Sequence, residues 1–139
     1  MRRGSTLVEQ LCIISLVGTL AAITVRSGAQ LIDAATVHAA SRDVADLFAL
    51  ARDQAVASGM RTAVRLDAAH GRILVHAAVD TIATLDLAQR SDVRITASRD
   101  SMAYAASGLG YGAANLRVIL QRGLSADTVT VSRLGRVRR

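Results

Sequence analysis

The chain opens Arg2-Arg3-Gly4-Ser5-Thr6-Leu7-Val8-Glu9 and runs on into Gln10-Leu11-Cys12-Ile13-Ile14-Ser15-Leu16-Val17-Gly18-Thr19-Leu20-Ala21-Ala22-Ile23-Thr24-Val25. No residue from Gln10 to Val25 is charged. Counted back to Ser5 the block has 21 residues, or about 31 Å as a helix at about 1.5 Å per residue. That matches a hydrocarbon core of about 30 Å, so residues 5–25 read as a transmembrane helix segment. Arg2 and Arg3 favour a cytoplasmic N-terminus, which puts the rest of the chain outside the cytoplasm. Glu9, the only glutamate in the protein, is out of place in an ordinary anchor. A carboxylate there costs about 3 kcal/mol and calls for a cationic partner. Two readings supply one. Either Arg2 or Arg3 snorkels toward Glu9, or a cut after Gly4 leaves a new α-amino group on Ser5. That amine would sit one helical turn from Glu9 in its own chain, or meet Glu9 of a neighbouring chain.

Basic residues before glycine, Thr-Leu-Val-Glu after it and an uncharged run together resemble a class III, prepilin-type signal. The resemblance implies that prepilin peptidase cuts after Gly4, releases residues 1–4 as a leader and methylates Ser5. Glu9 then falls at the fifth mature position, where the family uses glutamate in assembly. Ser5 stands where that family usually has phenylalanine, and Arg26 where it often has proline. The chain contains no proline at all, so the helix should run on with Gly18 and Gly28 as its only weak points. A secretory signal cut near Ser27-Gly28-Ala29 accounts for the apolar run but not for Glu9. A plain signal anchor is the other alternative.

The whole chain has 139 residues and a formal charge of +6, from 17 basic and 11 acidic residues. Every basic residue is arginine. The length suits one domain, and an apolar share of 51% suffices for a core. One cysteine, Cys12, excludes a disulfide scaffold and any multi-cysteine metal site; within the apolar block it reads as inert filling. Residues 5–132 hold 11 arginines and 11 acids, so the excess lies at the two ends. At the front are Arg2 and Arg3; at the back are Arg133, Arg136, Arg138 and Arg139.

Past the membrane block, apolar residues recur at helical spacing: Ile32, Ala35, Ala39, Val44, Phe48, Ala51 and Ala55. Charged Arg42, Asp43, Asp46, Arg52 and Asp53 fill the other face. Residues 26–58 therefore continue the helix as an amphipathic half, ended by Gly59 as a C-cap. The period then changes to two. Met60–Leu66 and Arg72–Val79 alternate around a turn at Asp67–Gly71, the pattern of a β-hairpin. Val93–Ala97 reads as a further short strand, 98–114 as a small-residue loop, and Leu116–Leu120 with Thr128–Val131 as a final hairpin around Arg122-Gly123. A long helix followed by antiparallel strands is an α+β arrangement, with 59–139 a β-rich head. The order of helix, Ala49–Ala55, glycine and strands is similar to the GspH/FimT-type pseudopilins. The ending Val129–Val137 looks like their last strand and Gly-Arg tail.

Catalytic chemistry finds no foothold. His38, His70 and His76 lack metal-ligand spacing and read as surface or structural groups. Gly108, Gly110 and Gly112 lack the strand-to-helix setting of a phosphate cradle and read as a flexible loop. The expected protein is not an enzyme and needs no cofactor or metal. It is a minor pseudopilin in the inner membrane, single-pass, with a periplasmic head. Its partners would be prepilin peptidase and other pilin or pseudopilin subunits of a type II secretion or type IV pilus filament. Gly4 and Ser5 are the processing residues and Glu9 the assembly residue. The tail poses a second question. Gly135-Arg136-Val137-Arg138-Arg139 resembles the tail of the FimT branch, implicated in DNA capture for uptake. By that resemblance Arg136 and Arg138 contact DNA, joined by Arg133, with Arg139 beside them. The alternatives are a solubilising tail or contact with anionic lipid or an acidic partner. A plain exported globular domain is the remaining reading.

Overall fold

The computed structural model describes residues 6–112 and 115–139, without the side chains of residues 23–27. The chain divides into two units, Met1–Ile32 and Asp33–Arg139.

Helix α1, Leu7–Ser58, starts on a capping arrangement. The Glu9 amide donates to Thr6 Oγ1 at 3.3 Å and the Gln10 amide to the Thr6 carbonyl at 3.1 Å. Thr6 is thus the N-cap and Glu9 the third helical residue, the Thr-x-x-Glu pattern that satisfies otherwise orphaned donors. In the first unit Leu7, Val8, Leu11, Ile13, Ile14, Leu16, Val17 and Leu20 are all exposed. Their positions cover every side of the helix, so this stretch has no polar face. Among the described residues no helix is long and apolar enough to cross a membrane. The described side chains of the apolar block stop at Ala22, short of Val25.

In the second unit α1 buries Val37, Ala40, Ser41, Val44, Leu47, Phe48, Ala51 and Ala55, one stripe at helical spacing. This corrects the first part of the expected stripe, because Ile32, Ala35 and Ala39 are exposed. The phase is set at Val37, where sheet cover begins. Alanine on both candidate faces leaves the sequence unable to choose between them. Gly59, at φ +66°, ends the helix in the left-handed conformation that glycine adopts without a Cβ penalty.

The strands that follow form two antiparallel sheets. The first has β1 (Thr62–Asp67), β2 (Arg72–Ala77), β3 (Asp80–Asp86), β5 (Ser101–Tyr104) and β6 (Gly110–Tyr111), in the order β3-β2-β1-β5-β6. The second has β4 (Arg94–Ala97), β7 (Leu116–Arg122), β8 (Ser125–Val131) and β9 (Val137–Arg138), in the order β4-β7-β8-β9. Both expected hairpins form, with Val64 opposite Val75 and Val118 opposite Val129. Strand β3 and the short helix α2 (Leu87–Ser91) were not anticipated. Asp86 caps α2 by accepting the Gln89 amide at 2.8 Å. The region expected as a loop, 98–114, contributes β5 and β6, and the expected tail contributes β9.

One core joins the helix stripe to both sheets. Val64, Ile73 and Tyr104 come from the first sheet, and Ile95, Leu120 and Val129 from the second. Full burial of such side chains contributes about 1.5–3 kcal/mol each.

Candidate functional site

The sequence-based sites fall at the two ends of the chain. At the front, Gly4 and Ser5, with Arg2 and Arg3, lie outside the described residues. Glu9 is described. It is exposed at the start of α1, where the helix macrodipole favours a carboxylate. Cys12 is a free, exposed thiol on the same stretch.

At the back, the arginine segment is a hairpin. Strand β9 pairs with β8, Val137 opposite Val131 and Arg138 opposite Thr130. The connecting turn closes through Ser132 N–H to the Arg136 carbonyl and Gly135 N–H to the Ser132 carbonyl, both at 2.9 Å. Gly135 holds φ +75°, and Arg136 N–H donates to Ser132 Oγ at 3.3 Å. Asn115 Oδ1 accepts the Arg133 amide at 3.0 Å, while Gly110 N–H donates to the Arg133 carbonyl at 2.9 Å. Arg52 Nε donates to the Gly108 carbonyl at 3.0 Å. The glycine-rich segment is therefore pinned to both the helix and the turn. The expectation of a flexible loop is corrected. Gly108 and Gly135 are needed for close approach, since a Cβ on Gly135 would lie 2.5 Å from the Gly108 carbonyl oxygen.

This hairpin sorts the four arginines. Arg136 and Arg138 open onto a groove of about 600 Å³ on the outer side of the second sheet, together with Arg117 of β7. Arg139 instead lines a cavity of about 990 Å³ on the opposite side, with His38 and Asp127. Arg133 is exposed on the turn and lines neither. Arg117 is the residue that sequence reading missed. Its signal was the alternation of Leu116–Leu120, which turns Arg117 and Ile119 away from the core.

The histidines are tied up locally. His38 Nδ1 lies 3.5 Å from Asp127 Oδ2, and its Nε2 is 3.2 Å from Arg42 Nη2. The Ser41 hydroxyl, the Thr128 amide and His38 hold the Asp127 carboxyl below the usual carboxylate range, with Ser41 the largest influence. Ser41 is fully buried, and its one hydroxyl proton has two competing acceptors, the His38 backbone carbonyl at 2.9 Å and the Asp127 carboxylate, so it is a packing hydroxyl and not a nucleophile aimed at a ring nitrogen. His70 Nδ1 sits 2.8 Å from Asp67, and His76 Nδ1 lies 3.0 Å from Thr81 Oγ1. Among the described residues no three His, Cys, Asp or Glu side chains converge to hold a metal ion.

A long N-terminal helix, its second half packed against antiparallel sheets that end in a basic hairpin, defines a pilin-like α+β protein. Solved structures of two proteins with this fold illustrate the likeness. The type IV minor pilin FimU of Pseudomonas aeruginosa superposes with a TM-score of 0.62 at 11% identity, over 73% of this chain and 86% of FimU. The minor pseudopilin EpsH of the Vibrio cholerae type 2 secretion system gives 0.56 at 13%, over 73% of this chain and 94% of EpsH. No curated protein sequence matches the chain. The chain belongs to the family described as Type II transport protein GspH, which it matches over residues 40–135. It is a pilin-like protein of the GspH type. The matched span contains most of the head, with the Arg52–Gly108 hydrogen bond and Gly135, but neither Glu9 nor Arg136, Arg138 and Arg139.

Proposed function

We propose that this protein is a minor pseudopilin that prepilin peptidase cuts after Gly4, and that residues 5–25 hold it in the inner membrane. Its N-terminus faces the cytoplasm and its head the periplasm, and it joins a filament of a type II secretion or type IV pilus machine. The observation that carries this reading is the GspH head joined to a helix that begins at Leu7, capped by Thr6, with Glu9 in its first turn. In a growing filament the mature N-termini pack where the dielectric is low. There an incoming Glu9 carboxylate pairs with the Ser5 amine of a subunit already in place. Register is selected because an unpaired buried charge costs several kcal/mol.

The capping arrangement makes this testable at one residue. Glutamine serves at the third helical position as well as glutamate does, yet it carries no charge. Glu9→Gln is therefore expected to keep the helix start and the head intact while incorporation into filaments falls at least tenfold, measured by crosslinking to co-expressed subunits. Normal incorporation of this variant would falsify the pairing. N-terminal sequencing of the membrane-extracted protein should begin at Ser5, and Gly4→Ala should leave the leader attached. A start near Gln30 would instead indicate a plain exported domain.

One observation favours a second reading, DNA binding for uptake: Arg136 and Arg138 share a groove whose described lining contains no acidic residue. Guanidinium groups fork onto phosphate oxygens, so such binding is sequence-independent and steeply salt-dependent. Arg136→Gln with Arg138→Gln should abolish a gel shift that the wild type gives at low salt.

A further inference from the structure

The outer face of the second sheet carries arginine, hydroxyl and amide side chains and no carboxylate. Thr130 lies opposite Arg117 on one side and Arg138 on the other, so the two arginines are two strand spacings apart, about 10 Å. The Ser98 hydroxyl extends this row by accepting the Arg117 amide at 3.0 Å. Parallel rows set Thr96 and Thr128 on either side of Ile119, and Arg94 beside Gln121. Asp127, the acid of β8, is on the other face, where it meets His38. Three other arginines of the head are engaged: Arg52 by the Gly108 carbonyl, Arg72 by the Asp86 carboxylate and Arg122 by the Asp33 carboxylate. Among the described residues no hydrogen bond or ion pair engages the guanidinium groups of Arg117, Arg136 and Arg138.

We propose that Arg117 contacts phosphate in a nucleic-acid backbone site formed with Arg136 and Arg138, an inference that rests on the DNA-binding reading above. Three forks beside hydroxyl and amide donors suit a row of phosphodiesters. The face carries no aromatic residue on which bases could stack. Its apolar content, Ile119 and Leu134, is too small for the desolvated centre of a protein interface. It also lacks the aromatic side chains and the broad apolar face of a membrane-surface helix or belt. Strand pairing fixes the spacing of Arg117 and Arg138, so Arg117 adds a third charge without ordering a flexible tail.

The test uses the full chain in detergent micelles and a short labelled DNA duplex, titrated over a range of salt. Arg117→Gln should weaken binding about three- to tenfold at low salt and lower the log–log salt slope by about 1. Arg117→Lys should restore the slope. Arg65→Gln, on the exposed side of β1, removes the same net charge and should leave binding unchanged. Absence of binding by the wild type ends the DNA reading and this proposal together. If the wild type binds, the Arg136/Arg138 variant fails and Arg117→Gln behaves as wild type, the reading stands and the Arg117 site is overturned. Equal loss with Arg65→Gln, or binding to phosphatidylglycerol vesicles but not to the duplex, also overturns it.

Discussion

Tyr104 is fully buried, and its hydroxyl has no hydrogen-bond partner in the structure. Thr62 stands opposite it across β1 and β5, and the Thr62 hydroxyl is equally buried and unpartnered. Burial pushes the Tyr104 phenol up to about 12, against a smaller opposing pull from Arg52. An acid whose folded value is raised contributes stability below its unfolded value, near 10, and loses it as the pH rises toward 12. Tyr104→Phe removes the orphaned hydroxyl and keeps the ring. The variant should be more stable by about 1 kcal/mol at neutral pH. It should also lose part of the alkaline destabilisation between pH 10 and 12, as denaturant titration of the full chain would show. Lower stability in the variant would mean that the hydroxyl is satisfied. Neither orphan was legible in the sequence, because alternation reports which side a residue faces and not what its polar atom meets there.

Elements were legible where one period ran long enough. The α1 stripe from Val44 to Ala55, the β1–β2 hairpin and the β7–β8 hairpin were read correctly because burial repeats cleanly along them. Strand β3 escaped because it is an edge strand in which only Leu85 is buried. Strand β5, four residues among small ones, is too short to show alternation. The hairpin carrying the arginines was hidden for a different reason. Its turn packs on the Gly108–Gly110 segment, which Arg52 holds by reaching the Gly108 carbonyl across 56 residues of sequence, and no local pattern reports such a contact. Two glycines separate this packing from simple conformational preference. Gly112 holds φ +68° with nothing within 4 Å, so Gly112→Ala should cost only about 1–2 kcal/mol, the left-handed penalty. Gly135 adds to a similar φ the close approach of the Gly108 carbonyl and of Arg52 Nε, 3.2 Å from the added Cβ. Gly135→Ala should therefore lower the thermal midpoint clearly more than Gly112→Ala. Equal shifts would show that the turn yields freely.

Over the whole molecule, charge divides into a paired part and a free part. Removing the two charges of Arg2 and Arg3 from +6 leaves +4 after a cut at Gly4, with the excess confined to the last seven residues. Net charge placed that excess correctly in the sequence. It could not show that Arg136 and Arg138 share a face with Arg117 while Arg139 turns away, because β9 pairing decides that. Four acids of the head are engaged internally. Asp33 meets Arg122 at 3.1 Å, and Gly123 leaves room for that carboxylate, which an added Cβ would strike. Asp67, Asp86 and Asp127 are all held below the usual carboxylate range. Chief among the causes are the His70 side chain for Asp67, the Gln89 amide for Asp86 and the Ser41 hydroxyl for Asp127. A carboxyl with a depressed folded value contributes stability above its unfolded value, near 4, and loses it as the pH falls through the folded value. The thermal midpoint of the full chain should thus hold between pH 7 and 5 and fall below about pH 4. Asp127 joins β8 to His38 and Ser41 of α1, so Asp127→Asn should lower the midpoint at neutral pH and shrink its drop on acidification. An unchanged acid drop in this variant would mean that the helix-to-sheet contact at Asp127 is too solvated to stabilise the fold.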